Sequence, residues 1–247
     1  MGRWFSNEVH QPFEPLMTSH IMILSLFFAG LLTLLFSYRL FKRSKRYTAF
    51  IRWTLFTILL LSELTYQLFA ISNDIWSTKE FVPLHLCGVA SILAMVALIT
   101  RNKPLIQFNF FIGIIPAFLA LLTPELPNAF PHYRFLKFFF HHMAISWASL
   151  FLILTSNVTI TFRSLLGTFG VLNLYAIVIF FVNREIGSNY LFLSSAPTAE
   201  TPLDLLGSGV WYYINLELLT FSVFLLLYCV YRVTQSRKNP FKEALME

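Results

Sequence analysis

Residues 135–155 read FLKFFFHHMAISWASLFLILT. Apart from one lysine near the start and two adjacent histidines, every side chain is apolar, small or hydroxyl-bearing. An α-helix rises about 1.5 Å per residue, so about 20 such residues cross a hydrocarbon core of about 30 Å. The stretch predicts a membrane-spanning helix. Working outward, six more stretches qualify: residues 21–39, 49–71, 82–100, 104–123, 164–182 and 210–231. A spanning helix satisfies its own backbone hydrogen bonds, and the alternating strands of a membrane barrel are absent. The expected fold is an all-α membrane protein, a bundle of seven transmembrane helices over residues 21–231. An N-terminal segment, 1–20, precedes it and a basic tail, 232–247, follows.

Composition agrees. Of 247 residues, 57% are hydrophobic and 12% charged, against about 45–50% and about 25% in soluble domains. Mean hydropathy is +0.67. The chain is too apolar for disorder. Two cysteines exclude a disulfide framework or a cysteine-rich zinc module. The net charge of +6 would suggest nucleic acid in a soluble protein, but its distribution argues otherwise. Arg39, Lys42, Arg43, Lys45, Arg46, Arg101, Lys103, Arg163 and the tail's Arg232, Arg237, Lys238 and Lys242 fall on one side of the predicted membrane. The other side holds Arg3, Lys79, Arg134, Lys137 and Arg184. The positive-inside bias places the N-terminus outside and the C-terminus in the cytoplasm. The basic pI is then a topology signal that also suits anionic headgroups. No nucleic-acid partner and no obligate protein partner are expected. The polar start of the chain carries Glu8 and Glu14, and no small-residue cleavage pattern follows the first apolar run. It is expected to be an uncleaved span. For a bacterial source the membrane is the cell membrane.

Ionisable side chains within a membrane are costly and mark function by default. Arg52 lies near a span end and can snorkel. The others are Glu63, His85, Cys87, His141, His142 and Glu217. Counted along their helices, Cys87 and His142 lie about 7 Å inside the outer end and Glu63 and Glu217 about 12 Å. All four fall in the outer half, which suggests one polar site open to that side. His142, Ser146 and Ser149 share a helical stripe, while His141 joins the more apolar Ile145 and Ala148. Small and polar residues face neighbouring helices, so His142 is the interior candidate of the pair. His85 and Cys87 sit about 200° apart on a regular helix. They meet only if the lead-in turn is irregular, which Pro83 at the first helical position would allow.

A cysteine beside a histidine can accept an acyl group as a thioester and pass it to an alcohol or to water. Cys87 would be the nucleophile, with His142, His141 or His85 moving the proton and Glu63 or Glu217 orienting the imidazole. The plain alternative is that Cys87 packs and the carboxylates make buried hydrogen bonds. Cys229 is read as a packing residue. A zinc-dependent lipid hydrolase is a further reading, but no histidine pair is spaced to ligate from one helical face, so no metal or cofactor is assigned. A transporter or small-ligand binder could use the same polar cavity, with Pro116, Asn109 and Gly113 marking a broken fourth span.

Several motifs stand out: Pro83-Leu84-His85-Leu86-Cys87; Leu122-Thr123-Pro124-Glu125-Leu126; Phe130-Pro131-His132-Tyr133-Arg134-Phe135 ahead of His141-His142; Asn183-Arg184-Glu185-Ile186-Gly187-Ser188-Asn189-Tyr190-Leu191; and Asp204-Leu205-Leu206-Gly207 before Trp211-Tyr212. Together they resemble the bacterial YwaF family of integral membrane proteins, which is similar to the transmembrane protein 164 family of animal acyltransferases. The resemblance implies a multi-pass helical fold and a cysteine-centred acyltransferase acting on phospholipid acyl chains. It makes Cys87 the nucleophile and His142 the match to the family's fifth-span histidine. A more distant group, the androgen-induced hydrolases of fatty-acid esters, is similar but uses a threonine nucleophile. In the outer loop Arg184 would contact a lipid headgroup or Glu125. Asn189 and Tyr190 would hold that loop over the site as a lid. The implied partner is membrane lipid.

Overall fold

The computed structural model describes residues 4–197 and 201–236. Arg3, Glu200 and the end of the basic tail, with Arg237, Lys238, Lys242, Glu243 and Glu247, lie outside the described residues. Among the described residues the seven expected spans fall on nine α-helices: α1 (Thr18–Phe36), α2 (Tyr38–Arg43), α3 (Lys45–Ser72), α4 (Leu86–Thr100), α5 (Lys103–Gly113), α6 (Ile115–Leu122), α7 (Tyr133–Thr155), α8 (Phe162–Ile186) and α9 (Val210–Ser236). Six spans are long and apolar enough to cross a membrane, with α5 and α6 forming one of them, and α4 is a shorter apolar helix. The chain is an integral multi-pass membrane protein.

Local chemistry explains the boundaries. Ser44 caps α3 by accepting from the Tyr47 amide at 3.2 Å. Thr161 and Ser164 form a reciprocal capping box at the start of α8, which ends on Gly187 in the left-handed region. The fourth span breaks at Ile114 because Pro116 removes an amide donor and crowds the preceding turn. Ser146 of α7 donates to the Gly113 and Ile114 carbonyls beside the break, at 3.3 and 3.0 Å.

The third span departs from expectation. Its helix begins at Leu86, not residue 82, and Pro83 lies outside it rather than at its first position. The cause is local. The residue before a proline avoids helical geometry, and His85 is the extended N-cap at φ −65°, ψ 154°. With 15 residues, α4 rises only about 22 Å. An irregular segment, 77–85, leads into it.

α7 is the axis of the bundle and packs against α1, α2, α3, α4, α5 and α6. Its apolar stretch is 61% buried, against 11% for that of α9. α9 stands at the edge, packed on α8 and on the short turn Pro202–Leu206. Without a hydrophobic force between helices in lipid, close packing depends on small residues and interhelical hydrogen bonds. Ala90, Ala94 and Ala97 of α4 supply the first along with Ser146, Ala148 and Ser149 of α7, all buried. The 2.7 Å bond from Asn109 Nδ2 to Ser149 Oγ supplies the second.

Candidate functional site

At the end of the bundle where α4 and α7 begin, the helices enclose a cavity of about 530 Å³. Every membrane-embedded candidate except Arg52 lines it: Glu63 from α3, His85 and Cys87 at the head of α4, His141 and His142 from α7, and Glu217 from α9. Pro116 of α6 and Asn173 of α8 complete the walls, and Leu191, Phe192 and Leu193 contribute from the loop after α8.

The irregular segment before α4 brings His85 and Cys87 to one space. Leu84 N–H turns back to the Val82 carbonyl at 2.7 Å. The Tyr175 hydroxyl of α8 donates to the Leu84 carbonyl at 2.8 Å, and the Tyr190 hydroxyl to the Thr78 carbonyl at 2.7 Å. Gln67 Nε2 bridges the Glu63 carboxylate at 3.0 Å and the Phe81 carbonyl at 2.8 Å. Gly88 permits the fold, because a Cβ there would come within 2.7 Å of the Pro83 carbonyl oxygen. Cys87 therefore stands in the first turn of α4, beside amides that lack intrahelical acceptors. No cap side chain bonds them.

Both histidines of the α7 pair are buried. His142 Nδ1 donates to the Phe138 carbonyl at 2.7 Å. A carbonyl only accepts, so in the neutral ring Nε2 carries the lone pair. Nδ1 of His141 is buried with no hydrogen-bond partner. His85 packs edge-on against Tyr190, ring centroids 5.0 Å apart, and tilted against Phe192 at 5.3 Å. Glu217 Oε2 is buried without a partner.

The loop after α8 forms one wall. Its anchor is Asn183, whose Oδ1 accepts from the Tyr190 amide at 2.9 Å and the Ser188 hydroxyl at 2.7 Å while Nδ2 donates to the Tyr190 carbonyl at 2.9 Å. Asn189 gathers the Ser194 and Ser195 amides onto its Oδ1. Tyr212 and Tyr213 of α9 donate to the Phe192 and Leu193 carbonyls at 2.9 and 2.7 Å. Tyr190 is fully buried and Asn189 partly so; both shape the loop and neither lines the cavity. Arg184 is exposed on the last turn of α8 and is also absent from the lining. Glu125, its suggested partner, lines the cavity.

Three residues escaped the sequence reading. Lys137, counted with the outer rim charges, lines the cavity and holds its ammonium 3.9 Å from the Tyr66 ring centroid. Its spacing of four from His141 was the available signal, since residues four apart share a helical face. Asn183 was visible only as the head of its motif. Gln67 lies four residues from Glu63, on the same helical face. Among the described residues, no group of three or more His, Cys, Asp or Glu side chains is arranged to hold a metal ion.

Compared with known proteins, residues 15–228 match the model of the TMEM164 family. No curated protein and no solved structure matches the chain.

Proposed function

The chain belongs to the TMEM164 family, and on that premise we propose that it is a cysteine-centred lipid acyltransferase or acyl-ester hydrolase. The observation that carries this reading is the single cavity shared by Cys87, His142, His141 and His85, with Glu63 and Glu217 in its walls. The likeness of its motifs to the YwaF and animal acyltransferase sequences supports the same chemistry.

The steps follow from the residues. His142 Nε2 takes the Cys87 proton, and the sulfur bonds to the ester carbonyl carbon of a phospholipid acyl chain. The orphan amides at the head of α4 stand beside the oxygen that gains charge. The carbon–oxygen bond breaks, and the leaving alkoxide takes the proton from Nε2. A second alcohol, or water, then gives its proton to Nε2 and attacks the thioester. The carbon–sulfur bond breaks, and the sulfur regains the proton. His85 and His141 line the same path, Glu63 and Glu217 bias imidazole orientation, and Arg184 can meet a headgroup only at the surface. With the N-terminus outside, as the charge bias argues, the site serves the outer leaflet.

The broken fourth span is the observation that favours a transporter. The Gly113 and Ile114 carbonyls at the break are engaged by Ser146, in the helix interface rather than as ion ligands.

The test uses the full chain in vesicles of a phospholipid with an isotopically labelled acyl chain, with a lysophospholipid as acceptor. The expected result is labelled product and a hydroxylamine-sensitive acyl group on Cys87. Cys87→Ala is expected to lower turnover by about 10³-fold or more at unchanged thermal stability. Wild-type turnover in that variant removes the covalent mechanism.

A further inference from the structure

Lys137 is the fifth residue of α7, about 6 Å from the helix start. A lysine one turn from a helix end can snorkel outward and keep its ammonium in water. Lys137 does not. Its side chain lines the cavity that Glu63 and Cys87 also line, and its ammonium lies over the face of Tyr66, 3.9 Å from the ring centroid.

An ammonium in such surroundings is expensive to bury. The ring face offsets part of that cost without neutralising the charge, because a quadrupole attracts a cation yet carries no net charge. The Glu63 carboxylate lines the same cavity and accepts from Gln67 Nε2 at 3.0 Å. Around Lys137 stand Glu63 and Tyr66 of α3, Glu80 of the lead-in segment, and His85 and Cys87 of the α4 head. Glu125, His141 and His142 of its own side and Glu217 of α9 complete the charged and titratable set. Among the described residues lining the cavity, Lys137 alone is a lysine or arginine.

We propose that Lys137 is the positioning residue of this cavity: its ammonium, placed over Tyr66, holds the negative charge that reaction places on Cys87. The assignment rests on Cys87 as the nucleophile. Lys137 forms and breaks no bond. When His142 Nε2 takes the thiol proton, the charge left on sulfur meets the Lys137 cation. The same cation disfavours a lasting imidazolium at His142, so the proton moves promptly to the leaving alkoxide. A tetrahedral oxyanion next to Cys87 lies in the same field.

The test is the pH profile of Cys87 alkylation by iodoacetamide, in the full chain in detergent and in a Cys229→Ser background. Lys137→Met is expected to move the profile to higher pH and slow labelling by about tenfold at pH 7.5. Lys137→Arg keeps the cation and is expected to stay within about threefold of the parent. Glu63→Gln removes the competing anion and is expected to speed labelling, a change of opposite sign that a merely damaged fold would not give. A Lys137→Met profile that superimposes on the parent at matched thermal stability overturns the assignment. So does a Glu63→Gln variant that slows labelling as Lys137→Met does. The readout needs no turnover, so it is separable from the parent reading. If Cys87→Ala retains acyl transfer while alkylation still depends on Lys137, the cysteine-centred mechanism falls and the Lys137–Cys87 coupling stands.

Discussion

α7 runs through two unlike halves of one bundle. Towards Thr155 it meets α4 and α5 through Ala148 and Ser149, both buried, and Ser149 pairs with Asn109. Towards Tyr133 it faces a neighbouring set of walls through Lys137, His141 and His142, and there the helices enclose about 530 Å³. The difference is side-chain size and chemistry. In lipid, helices close on one another where small residues let backbones approach and short polar groups bond across. Long titratable side chains do neither, so the helices stand apart and a polar volume remains. The cavity is therefore a product of which residues α7 carries at each level, with the loop after α8 forming one wall.

The comparison breaks first in the closed half. Gly113 sits where a Cβ would overlap Ser149 Oγ and approach Asn109 Nδ2 to 3.4 Å. That hydroxyl is already committed, donating to the Ile145 carbonyl at 2.8 Å and accepting from Asn109. Gly113→Val must push the serine aside and leave a buried amide short of a partner, a cost of about 2–3 kcal/mol. The expected outcome is a clearly lowered unfolding temperature in detergent. If the variant melts with the parent, the two halves are not packed by different rules.

The architecture was legible because apolar length survives every local detail. All seven stretches became helical segments, and the weak point at Pro116 broke as its missing amide requires. The site was legible in part. Depth along each helix placed Glu63, Cys87, His142 and Glu217 in the same half of the bundle, and they line one cavity. Face arguments were less informative. Choosing between His141 and His142 assumed that only one stripe of α7 meets the interior, yet so central a helix is covered on several sides and both residues are buried. Lys137 was hidden because a lysine near a span end reads as a rim charge, and only the position of Tyr66 shows that it turns inward. Pro83 signalled an irregular lead-in without revealing that tyrosines on α8 and in the following loop would clamp it.

A smaller effect is expected where the open half is walled. Asn183 is buried and serves both backbone groups of Tyr190. Asn183→Ala leaves those groups without their partner, worth about 1–3 kcal/mol locally. Because the loop packs at one end of the bundle, away from the α4–α5–α7 core, the loss should appear as local opening rather than global unfolding. Hydrogen exchange at the Tyr190 amide is expected to rise about tenfold or more, with iodoacetamide reaching Cys87 faster. Unchanged protection at that amide would mean that α9's tyrosines alone hold the loop.

The smallest effect lies at the rim of the open half. His132 caps α7, its Nδ1 accepting from the Arg134 amide at 3.1 Å, while Nε2–H donates to the Ser6 carbonyl at 2.9 Å. That pattern uses the neutral ring, since protonation would place a hydrogen on the accepting nitrogen. Burial, opposed by the bond to Ser6 and aided by Arg134, holds the imidazole below its ordinary value. The sign follows from linkage. The unfolded chain binds the proton more readily, so the cap contributes fully above the ordinary imidazole range and is lost as pH falls through the lowered value. An uncapped first turn costs about 1 kcal/mol. Between neutral and mildly acidic pH the parent should lose about that much more stability than His132→Asn, whose side chain caps without titrating in this range. Parallel stability curves for the two proteins would show that folding does not shift the His132 proton equilibrium and that the cap does not depend on the neutral ring.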